Sequence, residues 1–247
     1  MTEFLLGVLA SIAAAAVIGL VPPLRAGFFA FWILWRQSSR FADMYRAGIS
    51  EIHLDRDKTN PLDVINSAQE ELVYVGVSPN PSDLDRWCRE SFEGLLSSGI
   101  AVAVVFWDVA VDESLLEDMA SYYMMSAESL RDSLSEARTV VESFRRALPQ
   151  QCRNNFKFML HTRVLTDSVF LVDTGMLRPS SSLKGHIHLD QKLFGLGKSH
   201  ATVVKLRSVL GGKSLYARVL NSFQLLLSGS QEIPDRQLVA NHELDRT

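Results

Sequence analysis

The chain has 247 residues, of which 47% are hydrophobic and 21% charged, and its net charge is −3. That length holds one ordinary domain and an appendage. Two cysteines, Cys88 and Cys152, exclude a disulfide framework and fit a reducing compartment as small core residues, and the slightly acidic balance excludes a basic nucleic-acid-binding surface.

The first predicted element is the appendage. Residues 4–21, FLLGVLASIAAAAVIGLV, carry no charge. A helix needs about 20 apolar residues to cross the hydrocarbon core, so this run with its flanks predicts one transmembrane helix. Glu3, with no Lys or Arg before the run, argues against a cleavable signal peptide. After Pro22 and Pro23, the run AGFFAFWILW (26–35) is too short to return across the bilayer. It puts Trp32 and Trp35 in an interfacial belt before Arg36 and Arg40. Basic residues after the span and Glu3 before it predict a single pass through the inner or plasma membrane, with residues 36–247 cytoplasmic. Gly7, Ser11, Ala15 and Gly19 form a stripe that would let two such helices approach and make a homo-oligomer. The predicted division is an anchor with its interfacial segment (1–36), a cytoplasmic α/β domain (37–230) and a polar tail (231–247).

Within the domain, SSRFADMYRAG (38–48) reads as a short helix stopped by Gly48, and ISEIHL (49–54) as a strand. NPLDVINSAQEE (60–71) reads as a helix capped by Asn60 with Pro61 at its first position. LVYVGVS (72–78) reads as a buried strand. The next helix, 81–99, takes Ser82 as its cap and Gly99 as its stop. IAVAVVFWD (100–108) is a second continuous apolar strand. Strand, helix, strand in this order predicts a parallel pair joined by a crossover, with any ligand site beyond the strands' carboxyl ends. Those ends carry Ser78, Asn80 and Asp108.

Residues 113–148 read as a long helix or helix pair. Tyr123, Ala127, Leu130, Leu134, Ala137, Val141, Phe144 and Leu148 alternate steps of four and three, a heptad seam. The seam suits a helix laid on the sheet, with a coiled-coil contact between chains as the alternative. After Pro149 the pattern turns to strands: NFKFMLH, SVFLVDTG, HIHL and SHATVVKLRS. The first two, joined by a short polar link, predict a β-hairpin. A final amphipathic helix covers 213–230.

The ordered pattern over about residues 45–228, sharpest at LHTRVLTDSVFLVDTG, resembles the phospholipase D-like superfamily. The resemblance implies a mixed sheet flanked by helices, preceded here by the transmembrane helix. Active members carry H-x-K-x-x-x-x-D, with His as the nucleophile on phosphorus, Lys holding phosphate oxygens and Asp in the surrounding hydrogen-bond network. Carried over from His161, the pattern gives Arg163 for Lys. Asp167 then falls one residue early, with Ser168 at the Asp position, and Met176 replaces the Ser that follows Gly. One residue of slip in a strand turns a side chain to the opposite face. The catalytic candidates are therefore His161, Arg163 and Asp167, and the ligand-binding candidates Ser78, Asn80, Asp108 and Arg178.

The implied function is a membrane-anchored, non-catalytic sensor or effector. It would bind a phosphate-bearing ligand or a partner protein, act as an oligomer, need no cofactor or metal, and not bind nucleic acid. The alternatives are a membrane-anchored phosphodiesterase, a phospholipase or nuclease using His161, and a Rossmann-type nucleotide sensor, which gains if 155–173 is not a hairpin. Two weaker patterns stand beside these. His186, His188 and Asp190 would share one strand face as zinc ligands do. GLGKS (195–199) lacks the first Gly of a phosphate loop, having Lys192 there.

Overall fold

The computed structural model describes residues 42–53, 59–76, 80–108, 113–163, 167–178, 185–191, 202–208 and 214–233. The chain divides into two units, residues 1–46 and 47–247, and the second carries the sheet. The expected span at 4–21, the stripe from Gly7 to Gly19 and the GLGKS segment lie outside the described residues. Among the described residues no helix is long and apolar enough to cross a membrane.

Strand β1 (Ile49–His53) is followed by helix α1 (Pro61–Asn66) and β2 (Glu71–Gly76). Asn60 caps α1 by accepting the Leu62 N–H at 3.1 Å, and Pro61 takes the first position, where no N–H is needed. Next come α2 (Pro81–Trp87), a π-turn (Cys88–Phe92), α3 (Glu93–Ser97) and β3 (Ala101–Trp107). Gly99, at φ +81°, ends that helical run as its residue type predicts. The cap of α2 is Asn80, whose side chain accepts the Ser82 N–H at 3.1 Å, and not Ser82 itself.

Helices α4 (Glu113–Tyr122) and α5 (Ala127–Ala147) resolve the long helical stretch into a pair. Short α6 (Gln150–Arg153) leads into β4 (Phe156–His161). Strands β5 (Asp167–Val172), β6 (His186–Gln191) and β7 (Thr202–Arg207) follow, then α7 (Leu215–Ser228) and β8 (Gln231–Glu232). The polar tail expected from Gln231 therefore starts later. Residues 231–232 pair with β4, and Ile233 is buried with its N–H on the Phe158 carbonyl at 3.0 Å.

The eight strands form one mixed sheet in the order β1-β7-β6-β5-β2-β3-β4-β8. Strands β2, β3 and β4 are parallel, and β5, β6, β7 and β1 extend the other side antiparallel. The expected hairpin is overturned. β4 pairs with β3, while β5 crosses to the far side of β2. Strands buried on both faces read as continuous apolar runs, and β2 and β3 are buried at every position.

Alternate residues serve two cores. Leu72, Tyr74, Val104, Phe106, Phe158 and Phe170 pack under the helices from α1 to α3 and α5. Val73, Val75, Val105, Val169, Leu171 and Leu206 pack under α7. The seam residues Leu130, Leu134, Ala137 and Val141 are fully buried within this chain, so the coiled-coil reading of the seam falls. Leu130 and Leu134 join Trp107, Leu116 and Met119 in a third cluster that ties α4 to α5.

Candidate functional site

The sheet's polarity defines two ends. The carboxyl ends of β2, β3, β4 and β6 meet the amino ends of β5 and β7 at one of them. His161 ends β4 opposite Trp107, and the Asp108 N–H donates to its carbonyl at 2.8 Å. The His161 side chain is 2% exposed, and neither ring nitrogen has a hydrogen-bond partner among the described residues. Burial pushes its pKa down to about 4, which the Arg163 main chain and the Asp108 charge oppose without cancelling. Arg163 follows two residues later and is exposed.

Asp167 opens β5. Three strand spacings of about 4.8 Å separate β5 from β4, so His161 and Asp167 stand about 14 Å apart across the sheet. The three catalytic candidates are not assembled into one site. Nor do the four ligand-binding candidates converge. Ser78 lies outside the described residues, Asn80 is occupied as the α2 cap, and Asp108 sits beside His161. Arg178 is at the opposite end of the sheet, donating to the Gly99 carbonyl at 3.0 Å and to Asn155 Oδ1 at 2.6 Å.

What gathers at the β5–β6 end is a set the sequence pattern did not assemble. Ser168 and Asp190 are cross-strand partners, both buried. Tyr123, just after α4, lies near enough to feel the Asp190 charge. Its hydroxyl pKa is raised by burial first and then by the charges of Tyr122, Asp167, Tyr74 and Asp190. Tyr122 is raised by the same burial and by Asp167. Tyr74 comes in from β2, its ring lying over Gly76 so closely that a Cβ there would sit 2.4 Å from the hydroxyl oxygen. The glycine two residues after a buried tyrosine is the signal that could have found it. Asp190 enters the sequence reading only as a metal ligand. Among the described residues no three His, Cys, Asp or Glu are grouped to hold a metal ion, although His186 and His188 do share a face, their rings 5.1 Å apart. Burial lowers the pKa of both, that of His188 to about 4 with help from His186 and Lys205, so they are neutral near pH 7.

At the other end of the same strand, Asp173 accepts the N–H groups of Gln69, Glu70 and Glu71, the closest at 2.7 Å. Counting back from Asp173, the H-x-K-x-x-x-x-D spacing falls on Thr166 and Ser168. Ser168 is then at the Lys position, and the Asp position is filled by a residue in a hydrogen-bond network. Thr166 lies outside the described residues.

No family model matches the chain, and no curated protein does. Among solved structures it is similar to TrmBL2, an archaeal chromatin protein with a novel mode of DNA binding. The match has 8% identity over 92% of this chain and 70% of that one, with a TM-score of 0.42, and at that score it carries no argument about fold or function.

Proposed function

We propose that the chain is a membrane-anchored, non-catalytic phospholipase D-like sensor or effector. The observation that carries the reading is the placement of His161. A histidine nucleophile has to be neutral, which its low pKa allows, but it also has to meet phosphorus with reacting atoms about 3–3.5 Å apart and have a proton donor at hand. His161 is buried at the end of β4, three strands from Asp167, and Arg163 beside it is exposed. Counted back from Asp173, which follows β5, the hydroxyl residues Thr166 and Ser168 stand in the sequence where the motif has His and Lys.

The binding surface in this reading is the strand end that holds Tyr74, Tyr123, Ser168 and Asp190, with Arg163 further along it. Arg163, exposed there, can clamp a phosphate-bearing ligand as a fork of donors. Asp108, Asp167 and Asp190 at the same end repel a free anion, which favours a partner protein over a lone phosphate ester. Residues 4–21 would hold this domain at the membrane, and the Gly7–Gly19 stripe remains the sequence feature that supports an oligomer. The non-hairpin placement of β4 and β5 meets the condition set for the Rossmann-type alternative. Against that alternative stands the antiparallel arm of β5, β6, β7 and β1.

The test is turnover by the full chain on bis(p-nitrophenyl) phosphate, phosphatidylcholine vesicles and single-stranded DNA. The expected result is none, with His161→Ala changing nothing. Turnover abolished by His161→Ala, with an unchanged circular dichroism spectrum, would establish the phosphodiesterase reading instead.

A further inference from the structure

Among the described residues, a cleft of about 420 Å³ opens between the π-turn after α2 and the second half of α5, far in the chain from His161 and Ser168. A π-turn places one more residue in a helical turn and recurs at binding sites. Here the Glu93 N–H reaches back five residues to the Cys88 carbonyl, and Cys88, Arg89 and Glu93 line one cleft.

The floor is apolar. Cys88 and Leu148 are buried, and Val140 and Phe144 are half-buried against the main core. Burial pushes the Cys88 thiol up to about 12, so it is a neutral part of that floor and no nucleophile. The rim is charged. Asp85 and Arg89 pair with each other. The carboxylates of Glu93 and Glu136, both exposed, have no hydrogen-bond or ion-pair partner among the described residues.

A cleft of this size holds a small organic ligand, and its mostly apolar wall asks for an apolar body. Two unpaired carboxylates on the rim repel anions and favour a positive head group. The half-buried Phe144 ring offers a cation a further attractive face. We infer that the cleft binds a small amphiphilic organic cation, an alkyl or aryl-alkyl amine. Its body lies on Val140, Phe144 and Leu148, and its ammonium group is held by Glu93 and Glu136. This site is independent of the strand-end surface proposed above.

The experiment is calorimetric titration of the full chain with phenylbutylamine, and with phenylbutanol and phenylbutanoate as the neutral and anionic analogues of the same body. The amine is expected to bind about tenfold more tightly than the alcohol, and the carboxylate not at all. Glu93→Gln with Glu136→Gln should bring the amine down to the alcohol's affinity and leave the alcohol unchanged. Both side chains are exposed, so the variant keeps the fold. Ser143→Trp, which fills the cleft, should abolish binding of both. Equal affinity for amine and alcohol, no amine binding at millimolar concentration, or amine affinity unmoved by the double glutamine variant would each overturn the inference.

Discussion

At the end of the sheet where β2 begins and β5 stops, two buried carboxylates take hydrogen bonds from six main-chain N–H groups. Glu71 accepts those of Met176, Leu177 and Arg178, and also the Thr174 hydroxyl. Asp173 accepts those of Gln69, Glu70 and Glu71. At the end where β2 stops and β5 begins, His161 is buried with neither ring nitrogen hydrogen-bonded among the described residues. The first arrangement is reciprocal, each acid holding the turn that carries the other. Asp173 is kept at φ +52°, a conformation Asp tolerates better than most residues, and Gly185 lies so close that a Cβ would meet the Asp173 carbonyl at 2.4 Å. Polar groups at one end are thus used to fix the backbone, whereas at the other the buried His161 ring has no such role among the described residues. Binding surfaces on sheets of this kind occur at the carboxyl ends of parallel strands, and the clasp lies at the opposite end.

The largest expected effect comes from breaking the clasp. Glu71→Ala leaves three main-chain donors and a hydroxyl without their acceptor, at about 1–3 kcal/mol for each buried one. A loss of about 4 kcal/mol in urea denaturation is expected, with Glu71→Gln, which keeps one carbonyl oxygen, losing less. A loss under about 1 kcal/mol would mean that the turn at 174–178 is held by other contacts.

The next effect belongs to the other end and depends on pH. With an unfolded pKa near 6.5 and a folded value of about 4, His161 is neutral in both states above pH 6.5. As pH falls from 6.5 towards 4, the unfolded chain takes up a proton that the folded one refuses, so stability is lost across that window and levels off below it. The full loss from this residue is about 3 kcal/mol. His188 shifts the same way and adds its own part. The measure is therefore the difference between the chain and His161→Leu, in urea titrations at pH 7 and pH 5. The variant should lose less stability on acidification. Identical losses would show that His161 is hydrated.

A smaller effect tests the approach of Tyr74 to Gly76. Gly76→Ala puts a Cβ 2.7 Å from the Tyr74 Cζ, and the ring is confined by Trp87, Phe106 and Phe170. Overpacking of this kind costs about 1–3 kcal/mol. Adding Tyr74→Phe removes the closest atom, so the double variant should recover part of the loss by thermal denaturation. Additive losses would place the Tyr74 ring elsewhere.

How much of this was legible follows from how local each feature is. The Asn60 and Pro61 start, the Gly99 stop and the continuous apolar runs of β2 and β3 depend on neighbours in sequence, and the sequence shows them. Pairing is not local. A link of five residues between β4 and β5 looks like a hairpin, yet VFLV (169–172) is apolar at every position, as a strand covered on both faces must be. That continuity suits a place beside β2 better than one at a hairpin edge. The heptad seam of α5 could not say whether it faces this chain's core or another's, because the period is the same for both. His161 drew the motif count because it is a histidine. The acid that fits the spacing, Asp173, is marked only by what it accepts in the folded chain.

The smallest effect separates the two ends most directly, through two arginines that the sequence treats alike as anion ligands. Both side chains are exposed. Arg178 is nevertheless a structural residue, bridging the Gly99 carbonyl and the Asn155 side chain across the starts of β3 and β4. Losing two charge-assisted but solvent-accessible hydrogen bonds should cost Arg178→Ala about 1 kcal/mol and leave ligand binding at the far end unmoved. The Arg163 side chain is exposed and makes no hydrogen bond or ion pair with a described residue, so Arg163→Ala should change stability by less than about 0.5 kcal/mol. It should instead weaken the binding of phosphorylated probes such as phosphoserine peptides, and weaken it less in high salt, where the charge is already screened. Denaturation and binding titrations on the two variants side by side decide the matter. If Arg178→Ala is the one that weakens phosphate binding, the binding surface belongs at the clasped end and the assignment of the two ends is reversed.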